Sequence, residues 1–286
     1  MDSDNAHEWF KAAQIEVETL EEMDCWDVVD REPWMKGKII GGTWALKLKR
    51  YPDGLIKKFK ARFCARGDQQ KDDFETYAPV VQWTTIRLML ILEVLLGLKS
   101  KQGDVTAAFV HAPIPEGKDV FVSMPQGFGI PGKVLKLKRQ LYGLKDSPRQ
   151  YWKYTVKKME ACGLKQSTLD PCLFVGDKVI CICYVDDYLF WSRDESDISA
   201  VTDQLRGLGV QLQPEDDTAG FLGIDLNRDP ETGTIEMTQT GLINRVLVAL
   251  GLDHGKVAVK WTPADGSPLV KDAEGAHNLL IGVGIR

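Results

Sequence analysis

The feature that most constrains this fold is a pair of apolar runs separated by only two aspartates. Val179 to Val185 is one continuous apolar run, Tyr188 to Trp191 is another, and Asp186 and Asp187 stand between them. Such runs predict buried strands, and a two-residue gap predicts a tight hairpin. Carboxylates beside buried strands are costly unless they are paired or bind a cation. An acidic hairpin tip is often only a surface turn, but these apolar and aromatic flanks favour a hairpin packed in a cleft.

A third carboxylate that could join this pair is Asp104, in the segment from Gln102 to Phe109. A short strand is expected before it, although Lys99 to Gly103 is poor strand sequence. Three carboxylates on adjacent strands can bridge two cations, the arrangement that phosphoryl transfer uses. Mg²⁺ suits such oxygen ligands, with two ions expected and Mn²⁺ as an alternative.

The rest of the chain alternates between helix and strand patterns. Hydrophobic spacing and caps predict helices over 7–23, 84–98 (with Thr84 or Thr85 near the cap), 147–162 (with Ser147 as the cap), 196–208 and 240–251. A hairpin is predicted over 39–66, with its turn at 52–54. Strands are predicted over 119–124, 133–138, 218–226 and 233–238. These elements lack βαβ regularity and a glycine-rich fingerprint, which favours an α+β fold.

Charge is unevenly distributed along this acidic chain, whose formal net charge is −5. Residues 47–66 contain eight Lys or Arg against one acid, and residues 133–158 contain nine against one acid. Two such segments could form a track for a polyanion such as nucleic acid. Two solvated faces explain the same charges about equally well.

Cysteines and apolar segments bear on the compartment. The six cysteines are scattered, and Cys181 and Cys183 fit buried small hydrophobes better than a disulfide or zinc site. The most apolar stretch, 86–98, is too short to cross a bilayer and contains Arg87 and Glu93. The first residues do not resemble a signal peptide. An intracellular protein that is neither secreted nor in a membrane is therefore expected.

Eight segments resemble, in order and spacing, the Ty1/copia class of retrotransposon reverse transcriptases over roughly residues 7–265. They are Lys60–Gly67, Tyr77–Val81, Thr84–Arg87, Asp104–Phe109, Leu141–Gln150, Asp170–Phe174, Tyr184–Asp187 and Phe221–Ile224. The resemblance implies a right-hand polymerase with fingers, palm and thumb, the palm being an antiparallel sheet packed on helices. It places fingers and palm at about 1–225, a thumb-like part at about 226–265 and a truncated, connection-like tail at 266–286.

The same resemblance implies roles for individual residues. Asp104, Asp186 and Asp187 would be catalytic metal ligands, assisted by the Val105 carbonyl. Nucleotide binding is implied for Lys60, Arg62, Phe109, Gly143 and Tyr184, with the Phe109 ring leaving no room for a ribose 2′-hydroxyl. Nucleic-acid binding is implied for Lys145, Ser147, Pro148 and Arg149.

The implied function is RNA- and DNA-directed DNA synthesis on a primed template, using deoxynucleoside triphosphates. The implied location is a cytoplasmic particle or the nucleus. Ribonuclease H and integrase parts of one polyprotein are expected partners, and neither is recognised in this sequence. One alternative is a decayed or truncated relic that binds nucleic acid without catalysis. A metal-dependent nuclease or phosphotransferase is another.

Overall fold

A computed structural model describes residues 5–50, 55–71, 75–215, 221, 223–229 and 231–252. Its helices and strands are, in chain order, α1 (Ala6–Glu22), β1 (Trp26–Asp30), β2 (Ile39–Ile40), β3 (Gly42–Arg50), β4 (Ile56–Ala65), α2 (Trp83–Leu96), β5 (Lys99–Val105), β6 (Phe121–Ser123), β7 (Lys133–Leu137), α3 (Ser147–Ala161), β8 (Lys165–Gln166), β9 (Leu173–Val175), β10 (Val179–Tyr184), β11 (Asp187–Ser192), α4 (Glu195–Gly207), β12 (Leu212–Glu215), β13 (Asp225–Asp229), β14 (Thr234–Thr238) and α5 (Thr240–Ala249). Short 3₁₀ turns lie at Pro33–Met35, Gly67–Gln69 and Ala108–His111. The α+β class is confirmed.

A six-stranded antiparallel sheet, the central sheet, organises the fold. Its strand order is β12-β5-β11-β10-β9-β8. One face packs against α3 and α4 through Met159, Phe190 and Leu205. The other face packs against α2 through Ile86, Met89 and Trp191. Because both faces are covered, β10 and β11 can be apolar along their whole length, as the sequence indicates.

Strand β5 is regular despite its polar sequence. It lies between β11 and β12, which supply hydrogen-bonding partners on both of its edges. Gly103 also fits closely, because a Cβ there would lie 2.8 Å from Leu212 Cδ1. Tertiary pairing therefore overrides weak strand propensity here.

A buried ionic cluster around Glu93 ties α2 to the central sheet and to β13. The Glu93 carboxylate accepts hydrogen bonds from Trp191 Nε1 at 2.7 Å, from the Ser100 hydroxyl at 3.0 Å and from Arg228 Nε at 2.7 Å. Its side chain is only 8% exposed, so these donors replace the water that the charge would otherwise need.

Strands β3 and β4 form a separate antiparallel ribbon with two unlike faces. We call it the cationic hairpin, because Lys47 and Lys49 of β3 share one face with Lys58, Lys60 and Arg62 of β4. Apolar residues of the opposite face pack against the molecule; Phe63 is fully buried, and the Phe59 ring meets the Trp9 ring of α1 edge to face at 4.7 Å. The predicted hairpin is confirmed, while its turn at 52–54 lies outside the described residues.

A four-stranded sheet of order β1-β7-β6-β2 connects the cationic hairpin to the central sheet. Its core contains Leu135 and Val122 together with Phe63 of β4 and Leu141 and Leu144 of the loop before α3. This shared core fixes the hairpin and that loop on one support.

Several predicted boundaries need correction. Asp146 is the N-cap residue of α3 and Ser147 its first helical residue, so Ser147 is not the cap. Gln82 precedes α2, and neither Thr84 nor Thr85 caps it; the Thr85 hydroxyl donates to Asp170 at 2.6 Å. Of the strand predicted over 218–226, only Asp225 and Leu226 belong to β13. Phe221 and Ile224 form an isolated bridge, and residues 216–220 and 222 lie outside the described part.

Residues 253–286 also lie outside the described part, which removes the end of the thumb-like region (253–265) and the whole 266–286 tail. The predicted domain boundaries stay predictions. All six cysteines are free, and Cys181 and Cys183 are buried, as predicted. Within the described chain, no helix has the length and apolar character needed to cross a membrane.

Candidate active site

The three predicted carboxylates meet at one end of the central sheet. Asp104 and Asp187 are direct partners across β5 and β11, and the Val105 amide donates to the Asp186 carbonyl at 2.8 Å. Burial, and then the nearby charge of Asp186, raise the pKa of Asp104 above its ordinary value. Three carboxylates from two chain segments therefore occupy adjoining backbone positions.

The hairpin that presents Asp186 is strained. Tyr184 pairs with Asp187, so the two-residue loop is Val185-Asp186, and Asp187 already belongs to β11. Val185 has φ +55°, in the left-handed region that a β-branched residue rarely adopts. Strain of about 1–3 kcal/mol persists only where surrounding packing enforces it, and such residues concentrate at functional sites.

Among the described residues, no three His, Cys, Asp or Glu side chains are grouped closely enough to hold a metal ion. Val105 is buried at 1% exposure and forms its described hydrogen bond through its amide. The backbone thus brings the three acids to adjoining positions.

Cations of the cationic hairpin lie opposite these acids. Positive charge on Lys60, Lys49 and Arg62 offsets part of the upward shift in the Asp104 pKa. Burial and the neighbouring Arg62 lower the pKa of Lys60 itself. A cavity of about 190 Å³ lies between β4 and α1, bounded by Lys60 and Arg62 together with the Glu16 carboxylate, and none of the three acids borders it. Positive charge therefore lies close to Asp104.

The cationic hairpin also places like charges in contact across its strands. Lys47 is the direct partner of Lys60, and Lys49 is the direct partner of Lys58. Like charges directly opposite one another destabilise a ribbon. A face built in this way suits a polyanionic ligand better than simple solvation.

An aromatic group lies beside the acids. The Arg62 guanidinium is 5.0 Å from the centre of the Tyr142 ring, and Phe109 is 5.0 Å from the same ring. Phe109, which is half-buried, also meets Tyr151 of α3 at 6.0 Å. Below them the Tyr151 and Tyr188 hydroxyls lie 3.1 Å apart, which links α3 to the strand that begins with Asp187.

Two glycines join the cationic hairpin to the loop before α3. The Ala65 amide donates to the Tyr142 carbonyl at 2.7 Å. A Cβ at Gly143 would lie 2.1 Å from the Ala65 oxygen, and a Cβ at Gly67 would lie 2.1 Å from the Gly143 oxygen. Gly143 also has φ +89°. Gly143 therefore lets two backbone segments approach closely, and its implied role in nucleotide binding stays a prediction.

The remaining predicted residues lie in varied surroundings. Tyr184 is half-buried and packs with the α2-side core. Ser147 is fully buried, and its hydroxyl donates to Gln140 Oε1 and the Leu141 oxygen, so its described contacts are structural. Pro148 follows it in the first turn of α3.

Two of the residues predicted to bind nucleic acid form hydrogen bonds or ion pairs with other protein groups. Lys145 Nζ donates to the Gln70 carbonyl at 2.7 Å. Arg149 pairs with Glu75 and donates to the Tyr77 carbonyl at 3.1 Å. Their roles in binding nucleic acid stay predictions.

The sequence-based prediction singled out none of Lys49, Tyr142 and Gly67. Lys49 lies in the basic cluster, and the other two lie in the segments that carry the family resemblance. The sequence features that indicated the site therefore included all three residues. Their contacts join segments distant in sequence, so spacing alone could not rank them above their neighbours.

Comparison with known proteins identifies the family. Residues 23–263 match the family described as reverse transcriptase (RNA-dependent DNA polymerase). The chain is 31% identical over 258 residues to the Retrovirus-related Pol polyprotein from transposon TNT 1-94 of Nicotiana tabacum, which covers 86% of this chain and 19% of that protein. It is 31% identical over 270 residues to the corresponding polyprotein from transposon RE1 of Arabidopsis thaliana, with 91% and 18% covered.

A yeast relative is also similar. The Transposon Ty1-ER2 Gag-Pol polyprotein of Saccharomyces cerevisiae is 32% identical over 196 residues, which is 65% of this chain and 11% of the relative. The chain thus spans less than a fifth of the length of these relatives. Together with the family match, these similarities show that the chain belongs to the reverse transcriptase family of Ty1/copia-type retrotransposon Pol polyproteins.

Proposed function

We propose that this chain is an RNA- and DNA-templated DNA polymerase that adds deoxynucleotides to a primer 3′ end. The observation that carries the proposal is the pairing of Asp104 with Asp187 at a sheet end that faces Lys60 and Arg62. Nucleotidyl transfer needs acidic side chains that hold metal ions on one side of the triphosphate. It also needs basic side chains that neutralise the phosphates on the other side.

We assign the parts of a right hand accordingly. The central sheet with its helices corresponds to the palm, and the cationic hairpin to the fingers. We place fingers and palm at about 1–225, the thumb-like part at about 226–265 and a connection-like tail at 266–286. In support, β13, β14 and α5 follow the central sheet in the chain, and no residue of α5 is buried.

The donor set fits magnesium by its chemistry. Asp104, Asp186 and Asp187 offer only oxygen ligands, and repulsion between Asp104 and Asp186 is the kind that a bound cation relieves. We propose that these three side chains, with the Val105 carbonyl, hold two Mg²⁺ ions, or Mn²⁺ in their place. When bound, such ions activate the attacking 3′-oxygen and stabilise the leaving pyrophosphate.

The chain's own residues would bind and orient the nucleotide. Lys60 and Arg62 neutralise the triphosphate, and stacking on Tyr142 holds the Arg62 fork in place. Phe109 bounds the sugar pocket and excludes a 2′-hydroxyl. Gly143 lets the loop pass close to the hairpin, and Tyr184 supports the primer end of the site.

We propose that Lys145, Pro148 and Arg149 follow the template strand, with Ser147 holding their loop. This binding would be mainly electrostatic and would weaken steeply with salt. The ribonuclease H and integrase parts of a polyprotein are the proposed partners, acting in a cytoplasmic particle or the nucleus.

Primer extension tests the proposal directly. Poly(rA)–oligo(dT), labelled dTTP and magnesium are supplied to the wild type, to Asp186→Asn and to Asp119→Asn. Asp119 is a matched control, because it is an exposed carboxylate whose only described ion pair is with Lys136 at 2.8 Å. Extension by the wild type and Asp119→Asn, but not by Asp186→Asn, is the expected result.

A relic that binds nucleic acid without catalysis is the second candidate, because no three-acid metal group is formed among the described residues. It predicts retained primer–template binding with no extension by any variant, whereas a metal-dependent nuclease would shorten the primer.

A further inference from the structure

A larger cavity lies beside α3. The face of α3 that borders it is not the face that packs on the central sheet. Its volume is about 700 Å³, and it is bounded by α3, the loop from His111 to Pro115, the end of β7 and Leu208 after α4. Tyr151, Thr155 and Met159 form the buried face of α3, and none of them borders it. No residue bordering this cavity also borders the one beside the cationic hairpin.

The cavity is strongly basic in an acidic protein. Five cationic side chains and one carboxylate, Asp24, line it; the cations are Lys138, Arg139, Lys153, Lys157 and Lys158. Asp24 is already paired with Lys138, which also pairs with Asp27 at 3.1 Å. The carboxylate is therefore not available to balance the other four cations.

The other lysines of this basic segment have a different fate. On β7, Lys133 pairs with Asp30 and Lys136 pairs with Asp119, each at 2.8 Å. Across the part of the chain that the structure describes, Lys153 and Lys157 form no ion pair. The unneutralised charge of residues 133–158 is therefore concentrated at this cavity.

The spacing of these lysines is itself unfavourable. Lys153 and Lys157 are four residues apart on α3, where like charges destabilise a helix. Lys158 is adjacent, and its Nζ donates to the Leu208 carbonyl at 2.8 Å. An anionic ligand would convert this repulsion into attraction.

Aromatic groups are interleaved with the cations. The Tyr154 ring lies 6.0 Å from the His111 ring, and Lys158 Nζ is 5.0 Å from the centre of Tyr154. His111 Nε2 donates to the Thr106 carbonyl at 3.1 Å, so its ring is fixed at the base of the cavity. Cations alternating with aromatic faces are typical of surfaces that bind nucleic-acid strands.

We propose that this cavity binds the phosphodiester backbone of a nucleic-acid strand, at a contact separate from the catalytic acids and the cationic hairpin. It goes beyond the proposed polymerase function, since binding here requires neither a nucleotide nor a metal ion. Lys153 and Lys157 supply the outer phosphate contacts, and Arg139 and Lys158 supply the inner ones.

The test is the affinity of the purified chain for a labelled single-stranded oligonucleotide, measured by fluorescence anisotropy over a salt series without nucleotide or magnesium. Lys153→Gln/Lys157→Gln should weaken binding about tenfold and reduce the slope of log affinity against log salt by about 1.4, since each single-strand phosphate contact contributes about 0.7. The matched control is Lys36→Gln/Lys165→Gln, which removes two exposed lysines outside both cavities and should leave affinity and slope unchanged.

Both lysines in the test variant are exposed, so folding should survive, and circular dichroism checks this. Lys153→Glu/Lys157→Glu gives a second reading and should weaken binding further. An unchanged affinity and slope in both variants, or an equal loss in the control, would overturn the proposal. A second result would also overturn it: inorganic triphosphate stabilises the wild type against heat, the variants lose this stabilisation, and oligonucleotide binding persists in them. The cavity would then bind small phosphates instead. Failure of primer extension leaves these measurements unaffected.

Discussion

Gly67 and Gly143 approach so closely that a Cβ on Gly67 would lie 2.1 Å from the Gly143 carbonyl oxygen. This contact locks the end of the cationic hairpin to the loop that carries Tyr142. The position of Arg62 relative to the acids therefore depends on two residues that have no side chain.

Gly67→Ala should lower the free energy of unfolding by about 1–3 kcal/mol, because backbone rather than a flexible side chain occupies the space. Primer extension should fall as well, since the hairpin must shift. Urea unfolding measures the first effect. Gly207→Ala is the matched control, because a Cβ there would have no heavy atom within 4 Å beyond its chain neighbours and its own helix backbone, and the residue has no positive φ. Equal behaviour of the two variants would contradict the close-contact explanation.

Phe109→Ala should reduce discrimination against ribonucleotides by about 10–100-fold, because the ring no longer fills the space beside the sugar. The measurement is the ratio of kcat/KM for dTTP and UTP on the same primer–template. Phe128→Ala removes another half-buried ring, one that contacts Phe10 and Trp44 away from the acids, and should leave the ratio unchanged. An unaltered ratio in Phe109→Ala would show that the ring only fills the core.

Glu93→Gln should destabilise the fold by about 3 kcal/mol. It removes the buried negative charge that pairs with the Arg228 guanidinium and accepts a hydrogen bond from Trp191. Urea unfolding gives the value. Asp203→Asn, which breaks the exposed pair with Arg206, should change stability by less than about 0.5 kcal/mol. If Glu93→Gln behaves like the exposed control, the cluster does not hold β13 to α2.

Stability should also decrease in mild acid through His111. Burial, and then the nearby charges of Arg139 and Lys158, lower the pKa of His111 in the folded state. As pH falls through about 6.5, the unfolded chain takes up a proton that the folded chain resists, so the free energy of unfolding decreases by up to about 1.4 kcal/mol per pH unit. Above that pH both states are neutral and the effect vanishes.

Urea unfolding between about pH 7.5 and pH 5.5 measures this dependence. His111→Gln keeps a donor for the Thr106 carbonyl and should show a shallower decline, whereas His7→Gln, at an exposed residue, should decline like the wild type. Parallel curves for all three proteins would show that His111 does not control acid stability.

Local pattern was enough to predict the elements with strong periodicity. The hairpin from Val179 to Trp191 and the helix α3 were predicted because apolar runs and a Ser-Pro start act within a few residues. Strand β5 was not clear from its own residues, since pairing with β11 and β12 forms it. The cap of α3 was placed one residue late because Ser147 uses its hydroxyl for Gln140 and Leu141 instead.

The candidate site was predictable in composition but not in arrangement. Sequence order identified Asp104, Asp186 and Asp187, yet the register that pairs Asp104 with Asp187 depends on the sheet. The Glu93 cluster joins residues up to 135 positions apart, and no local pattern indicates such a contact. From the sequence, residues 133–158 could form part of a polyanion track or a solvated face. Folding pairs the β7 lysines with acids and places Lys138, Arg139, Lys153, Lys157 and Lys158 around one cavity.

Ionic strength should act on the lysine pairs of the cationic hairpin in two ways. Added salt screens the repulsion between Lys47 and Lys60 and between Lys49 and Lys58, and so steadies the ribbon when no ligand is bound. Under the proposed function, the same counterions would compete with the triphosphate and the template for those ammonium groups. Order in the unliganded hairpin and affinity for the proposed ligand would therefore respond to salt in opposite directions, so the proposed polymerase should turn over fastest at an intermediate ionic strength.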